Sequence, residues 1–349
     1  MEKIEDVLAG ESEGVEAANE RLYRQGFTDG LPVIPPTGGR IEAMLAGREP
    51  GLVVASLPPA HRHATLRGLA VCAVLAGCRP EYFPLLVAAT AGLARPEFNL
   101  LGILTTTGSA APMMIVNGPI AQGLGLNSGH GALGPGVHSN ATIGRALSLV
   151  CRNLAGAIPG KLDMATIGQP GKYTFCIAEN EKASPWEPLH VSRGYRDSQN
   201  TVTLVGAAGT MEVKDDASTT AANLLTTFAH SINSAGSLGG NFLLGGGEPL
   251  LLLAPEHAAV IGREMSRRQA QQYLFEKARL PRAALSGQVD AGLQKAHAAR
   301  GRRAAALENE LRVAEHPEDI MLAVVGGVGV KSAFVPTWSG TTRAVTQPV

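Results

Sequence analysis

Ala111-Pro112-Met113-Met114-Ile115-Val116-Asn117-Gly118-Pro119 is an apolar run stopped by a Gly-Pro turn, the pattern of a buried strand. Glu248-Pro249-Leu250-Leu251-Leu252-Leu253-Ala254-Pro255 reads the same way later in the chain. The match extends upstream, where Asn99-Leu100-Leu101 and Thr105 to Ser109 face Asn241 to Leu244 and Gly245-Gly246-Gly247. Downstream, each strand is followed by an Ala-rich helical stretch and another apolar run ending in polar or glycyl residues, Tyr173 to Glu181 in one case and Ile320 to Gly327 in the other. This pattern predicts an α/β protein of two pseudo-equivalent α/β halves packed around a shared cleft, with 113–116 and 250–253 as corresponding central strands. Chance similarity between two apolar strands would produce a match as loose as this. The expected division is a lead-in over 1–40, a first half over 41–195 and a second over 196–349.

A length of 349 residues allows a large core and argues against a minimal binding module. With 30 basic and 30 acidic residues the formal charge is zero, so the chain lacks the basic footprint of a nucleic-acid binder, and a small-molecule substrate fits better. No apolar stretch is long enough to span a membrane, and the acidic start lacks a secretory apolar region, so a cytoplasmic protein is expected. An oligomer of identical chains is also expected. Cys72, Cys78, Cys151 and Cys176 show no CxxC spacing and read as reduced, mostly buried thiols, although Cys176 would be a nucleophile if a base stood beside it.

Residues 1–26 read as a charged helical lead-in carrying Ile4, Val7, Leu8 and Val15, packed on the body or on a partner. Two buried helices fill 62–94, broken between Gly77 and Pro80. Residues 118–140 are nearly all turn chemistry, and a loop of that length predicts a mobile border to the main ligand pocket. Ser139 or Asn140 should cap the helix that follows, whose free amides suit an anion. A helix over 219–232 and a charged helical zone over 256–311 complete the pattern, with Arg300-Gly301-Arg302-Arg303 as a solvated face.

Thr28-Asp29-Gly30-Leu31-Pro32-Val33-Ile34-Pro35-Pro36-Thr37 resembles the N-terminal signature of an uncharacterised bacterial family related to the UGSC-motif (seleno)proteins. Stretches over 140–145 and 170–190 are similar to the same group. In the namesake members a selenocysteine or cysteine opens a U/C-Gly-Ser-Cys motif. The nearest wording here, Thr107-Gly108-Ser109-Ala110, lacks both reactive atoms, which puts thiol redox chemistry in doubt.

The densest polar segment is Glu179-Asn180-Glu181 through Trp186 to His190, directly after an apolar strand, where open α/β sheets bind ligands. Glu179, Glu181 and His190 are candidate proton-transfer groups or ligands of a divalent metal, and His138 is a second candidate base. Asn117 and Asn180 would orient a substrate, with Asn140, Arg145, Lys331 and Ser332 as further binding groups and Arg145 and Lys331 holding an anion. The two segments are expected on one cleft. His61 and His63 could chelate a metal, but no third ligand is fixed by spacing and they read as structural or surface residues; Gly326 to Ser332 lacks the glycine spacing of a P-loop. No nicotinamide, flavin, pyridoxal or P-loop fingerprint occurs, leaving a divalent metal or no cofactor. These features predict a hydrolase or lyase of small molecules; the alternative is a non-catalytic ligand-binding or assembly partner of a UGSC-type protein.

Overall fold

The computed structural model describes residues 3–233, 247–299, 309–338 and 342–349. The lead-in forms helices α1 (Val15–Gln25) and α2 (Gly38–Leu45), then a hairpin of β1 (Val53–Leu57) and β2 (Arg62–Thr65). Ile4 and Val7 are buried in the main core, whereas Leu8 and Val15 remain exposed. Next come α3 (Leu66–Ala76), α4 (Phe83–Leu93), α5 (Leu100–Thr105), β3 (Ala111–Asn117), α6 (Pro119–Gly123), α7 (His138–Asn153), β4 (Cys176–Ala178), α8 (Leu189–Ser192) and β5 (Thr201–Ala207). The rest comprises β6 (Met211–Lys214), α9 (Ala221–Ile232), β7 (Leu250–Leu253), α10 (Pro255–Gly262), α11 (Arg267–Lys277), β8 (Arg279–Pro281), α12 (Gly287–Ala299), β9 (Glu310–Arg312), β10 (Met321–Val324), β11 (Lys331–Val335) and β12 (Val345–Pro348).

Local chemistry accounts for the helix limits. The Thr65 hydroxyl accepts the Gly68 amide to start α3, and Gly77 ends that helix at φ 86°, a conformation glycine adopts without a Cβ clash. Val137, and neither Ser139 nor Asn140, is the N-cap of α7. The Asn140 side chain is turned instead to the preceding loop, and Ser139 Oγ donates to the Gly125 carbonyl.

Two four-stranded sheets carry the architecture, in the orders β4-β3-β5-β12 and β10-β7-β11-β6. In each, the central strand has one parallel neighbour, β4 beside β3 and β10 beside β7, and one antiparallel neighbour, β5 or β11. The fourth strand is antiparallel in both. The sheets therefore share strand order and sense, with Met113 to Val116 and Leu250 to Leu253 in the same central place. The fourth strands are exchanged: β6 follows β5 in sequence but pairs with β11, and β12 follows β11 but pairs with β5. At the crossing Ala207 bridges Thr337, the Ala208 amide donates to the Pro336 carbonyl, and the Trp338 amide donates to the Gly206 carbonyl, both at 2.7 Å. Reciprocal bonds of this kind mark a local two-fold relation. Because β5 and β12 lie beyond residue 195 yet belong to the first sheet, a cut in the chain at 195/196 does not separate the sheets.

Side-chain alternation stacks these sheets in four layers. Met114, Val116, Cys176 and Leu204 face the helical layer of the first half, and Leu251, Leu253, Leu322 and Phe334 face that of the second. Met113, Ile115, Ile177, Val205, Leu250, Leu252, Ala323 and Val335 meet in a single apolar layer between the sheets. The faces that the halves present to each other are thus packed core, and the polar chemistry is displaced to the strand ends. Among the described residues no helix is long and apolar enough to cross a membrane. The upstream repeat stretch 241–246 and the basic run 300–303 lie outside the described residues.

Candidate functional site

Asn117 ends β3 and Glu179 follows β4, so the parallel pairing of those strands brings both side chains to one edge of the sheet. Asn117 Nδ2 donates to Glu179 Oε2 at 2.6 Å and to Glu181 Oε1 at 2.8 Å, bridging the two carboxyl groups. The Gly118 amide adds a second donor to Glu181 Oε1 at 2.8 Å. Gly118 has φ 88°, and a Cβ there would meet the Gln199 carbonyl at 2.3 Å, so glycine is required to aim that amide. From the other side, the Leu189 amide at the start of α8 donates to Glu179 Oε2 at 2.7 Å.

His190 is fully buried, with Nε2 3.4 Å from the Asp197 carbonyl and Nδ1 3.9 Å from Glu181 Oε1. The carbonyl can only accept, so Nε2 carries the proton in that bond and Nδ1 presents a lone pair when the ring is neutral. Thr201 stands opposite Asn117 in the β3–β5 register. Four buried atoms here have no hydrogen-bond partner among the described residues: Asn117 Oδ1, Glu179 Oε1, His190 Nδ1 and Thr201 Oγ1. Buried polar atoms in native proteins are nearly always paired, so such a concentration calls for a group that completes it.

Burial pushes the Glu179 carboxyl up from 4.5 to about 7. The Leu189 amide, the Arg267 charge and the Asn117 amide oppose that rise, and the neighbouring Glu181 reinforces it. Both N–H donors address Oε2, so in the neutral form the proton belongs on Oε1. Arg267, from α11 in the other half, is itself buried; it stacks 5.6 Å from the Trp186 ring and donates to the Leu322 and Glu187 carbonyls. Glu181, with 27% of its side chain exposed, is the member of the cluster open to solvent.

The other residues singled out from the sequence have separate partners. Arg145 forms a two-pronged ion pair with Asp29, both bonds 2.8 Å, and donates to the Pro32 carbonyl, so it secures the TDGLP segment to α7. His138 is exposed and tilted against Tyr82. Asn140 is consumed by backbone groups, accepting the Asn127 amide and donating to the Asn127, Ala132 and Cys176 carbonyls. Asn180 joins the two sheets at their ends, its amide donating to Val324 at 2.7 Å and its side chain to the Gly326 carbonyl. Lys331 is exposed and stands in register with Lys214.

Ser332 is buried, donating to His257 Nδ1 at 2.7 Å and accepting the Ala254 amide at 2.9 Å, while His257 Nε2 meets the Asp215 carbonyl at 2.8 Å. That chain is fully paired and fixes α10 on β11. Amides of the 326–329 turn already serve Ser128, His130 and the Glu256 carboxylate, so protein acceptors occupy what an anion would use. His61 and His63 are exposed on the β1–β2 hairpin. Burial pushes Cys72, Cys78 and Cys151 up to about 12 and Cys176 higher still, leaving four inert thiols.

The long glycine-rich loop is bonded across the molecule at Ser128 and His130, and no residue of 118–139 lines the cavities of 550, 770 or 400 Å³. The Leu189 amide, the Gly118 amide and Arg267 are the parts of the site that the sequence reading omitted. Gly118-Pro119 signalled the Gly118 amide, as an abrupt turn after an apolar strand; Arg267 is one of many charges in a helical zone. Among the described residues no group of three or more His, Cys, Asp or Glu side chains is gathered as a metal set. No protein-family model, curated protein or solved structure matches this chain.

Proposed function

We propose that the chain is an enzyme acting on a small molecule by acid–base chemistry, of hydrolase or lyase type, at the ends of β3 and β4. The observation that carries this reading is the group of buried atoms without partners among the described residues, Asn117 Oδ1, Glu179 Oε1 and His190 Nδ1, around a carboxyl group that burial pushes up to about 7. In this reading Glu179 Oε1 delivers a proton to the leaving group, and His190 Nδ1 accepts one from water or from the substrate. Asn117 keeps the two carboxyl groups at fixed separation and offers Oδ1 to a substrate donor. Glu181 faces the solvent side, which sets the direction of approach. Two carboxyl groups in unequal surroundings can take different proton-transfer roles at one pH.

The test is a turnover screen of the full chain against amides, esters and β-hydroxy acids, with Glu179→Gln and His190→Gln beside it. Turnover of one class by the wild type, with losses of about a hundredfold or more in both folded variants, is the expected result. Turnover that survives in both variants would reject the assignment.

A further inference from the structure

We propose that the 550 Å³ cavity at the start of β3 is a second ligand site, which takes an organic carboxylate with an apolar body. It opens at Ala111 and Pro112, whereas the Glu179 cluster lies past Asn117, so the two are separated by the length of β3, roughly 20 Å. Its volume falls within the roughly 300–1,000 Å³ of ordinary small-molecule sites.

Charge pairing of the lining residues, counting Arg145 just outside the wall, identifies the ligand. Asp29 is occupied by both prongs of Arg145, and Asp163 by Lys172 at 2.8 Å. Arg152, also in the wall, is the surplus cation among the described residues: none of them pairs with its buried Nε, and Nη2 makes a 3.3 Å bond to the Gly26 carbonyl. Burial lowers its affinity for the proton, and Asp29 offsets this only in part. One guanidinium offset only in part suits one negative charge, which a carboxylate supplies in the planar geometry that Arg recognises. The remaining wall is largely apolar, built from groups such as Leu104, Pro112, Ala157 and Tyr173, and would enclose a hydrocarbon or aromatic body. Inorganic phosphate would leave that wall unfilled. The site also gives the TDGLP segment a role, since Asp29 both lines the cavity and anchors α7.

Calorimetric titration of the full chain at pH 7 with octanoate, benzoate, their neutral amides and inorganic phosphate tests the proposal. Saturable binding of at least one carboxylate is expected, about tenfold or more tighter than its amide and than phosphate. Arg152→Gln should remove that preference. Ala165→Phe, at a half-buried lining position, should block binding with every charge retained, which keeps the test decisive if Arg152→Gln fails to fold. Glu179→Gln should bind as the wild type does, so failure here is distinguishable from failure of the acid–base reading. The proposal is overturned if neither carboxylate binds, if phosphate or the amides bind as well, or if Ala165→Phe or folded Arg152→Gln leaves affinity unchanged.

Discussion

Glu179 and Glu181 are two residues apart and share one donor, Asn117 Nδ2, yet their surroundings differ: one is buried, the other meets water. The consequence for stability has a definite sign. Because the folded-state value of Glu179 is raised from 4.5 to about 7, the native chain holds a proton there that the unfolded chain has released. Its contribution is therefore complete below pH 4.5, fades as pH rises through 7, and leaves a buried charge above that. The shift corresponds to about 3 kcal/mol. Glu179→Gln, which resembles the neutral acid, is expected to melt close to wild type at pH 5 and above it at pH 8.5. Carboxyl ¹³C shifts of labelled protein should show one glutamate titrating near pH 7 that vanishes in the variant. A wild-type chain whose glutamates all titrate below pH 5.5 would remove the basis for general acid catalysis.

Helix α7 shows how an element assigns roles that a motif cannot. Its first turn carries Asn140, used to stitch loop and strand together, and five residues on it carries Arg145, used to hold Asp29. Burial raises Asp29, but the Arg145 hydrogen bonds and charge outweigh it and keep the carboxyl below its ordinary 3.8. Such a group stabilises the fold above its unfolded value, and the stabilisation is lost as pH falls through the lower folded one. Arg145→Met is expected to cost roughly 2–4 kcal/mol at pH 7, because it leaves Asp29 unpaired. Denaturant titrations at pH 7 and pH 3 should show that cost shrinking in acid. Equal costs at both pH values would mean that the pair acts through packing alone.

At the level of the whole molecule, the exchanged strands make the halves interdependent. Arg193 reaches from the first half to the Thr346 hydroxyl, the Ala344 carbonyl and Glu248, clamping β12 onto β5. Val345 is buried in the core of the first half. A chain ended after residue 338 would bare the β5 edge and open that core, although it retains β3, β4 and the Glu179 cluster. We expect its melting temperature to fall by about 10 °C or more, with loss of soluble protein as the bare edge recruits other chains. We also expect the intact protein to unfold in one transition by near- and far-ultraviolet circular dichroism. Separate transitions, or a truncated chain as stable as the full one, would contradict this interdependence.

The sequence by itself determined what depends on a few neighbouring residues. Apolar runs punctuated by Gly and Pro marked 111–117 and 250–253 as matching strands, glycine at 77 stopped a helix, and the polar segment after β4 pointed to Glu179, Glu181 and His190. Tertiary structure alone decided which strand completes which sheet, because β5 and β11 each lead to an edge whose partner lies over a hundred residues away in sequence. It likewise paired Arg145 with Asp29, set His138 against Tyr82, and brought the Arg267 charge to bear on Glu179. Local pattern encodes period and turn geometry, whereas ion pairing and desolvation arise only when distant segments close around a group. That is why Glu179 was legible as a candidate but its raised affinity for a proton was not.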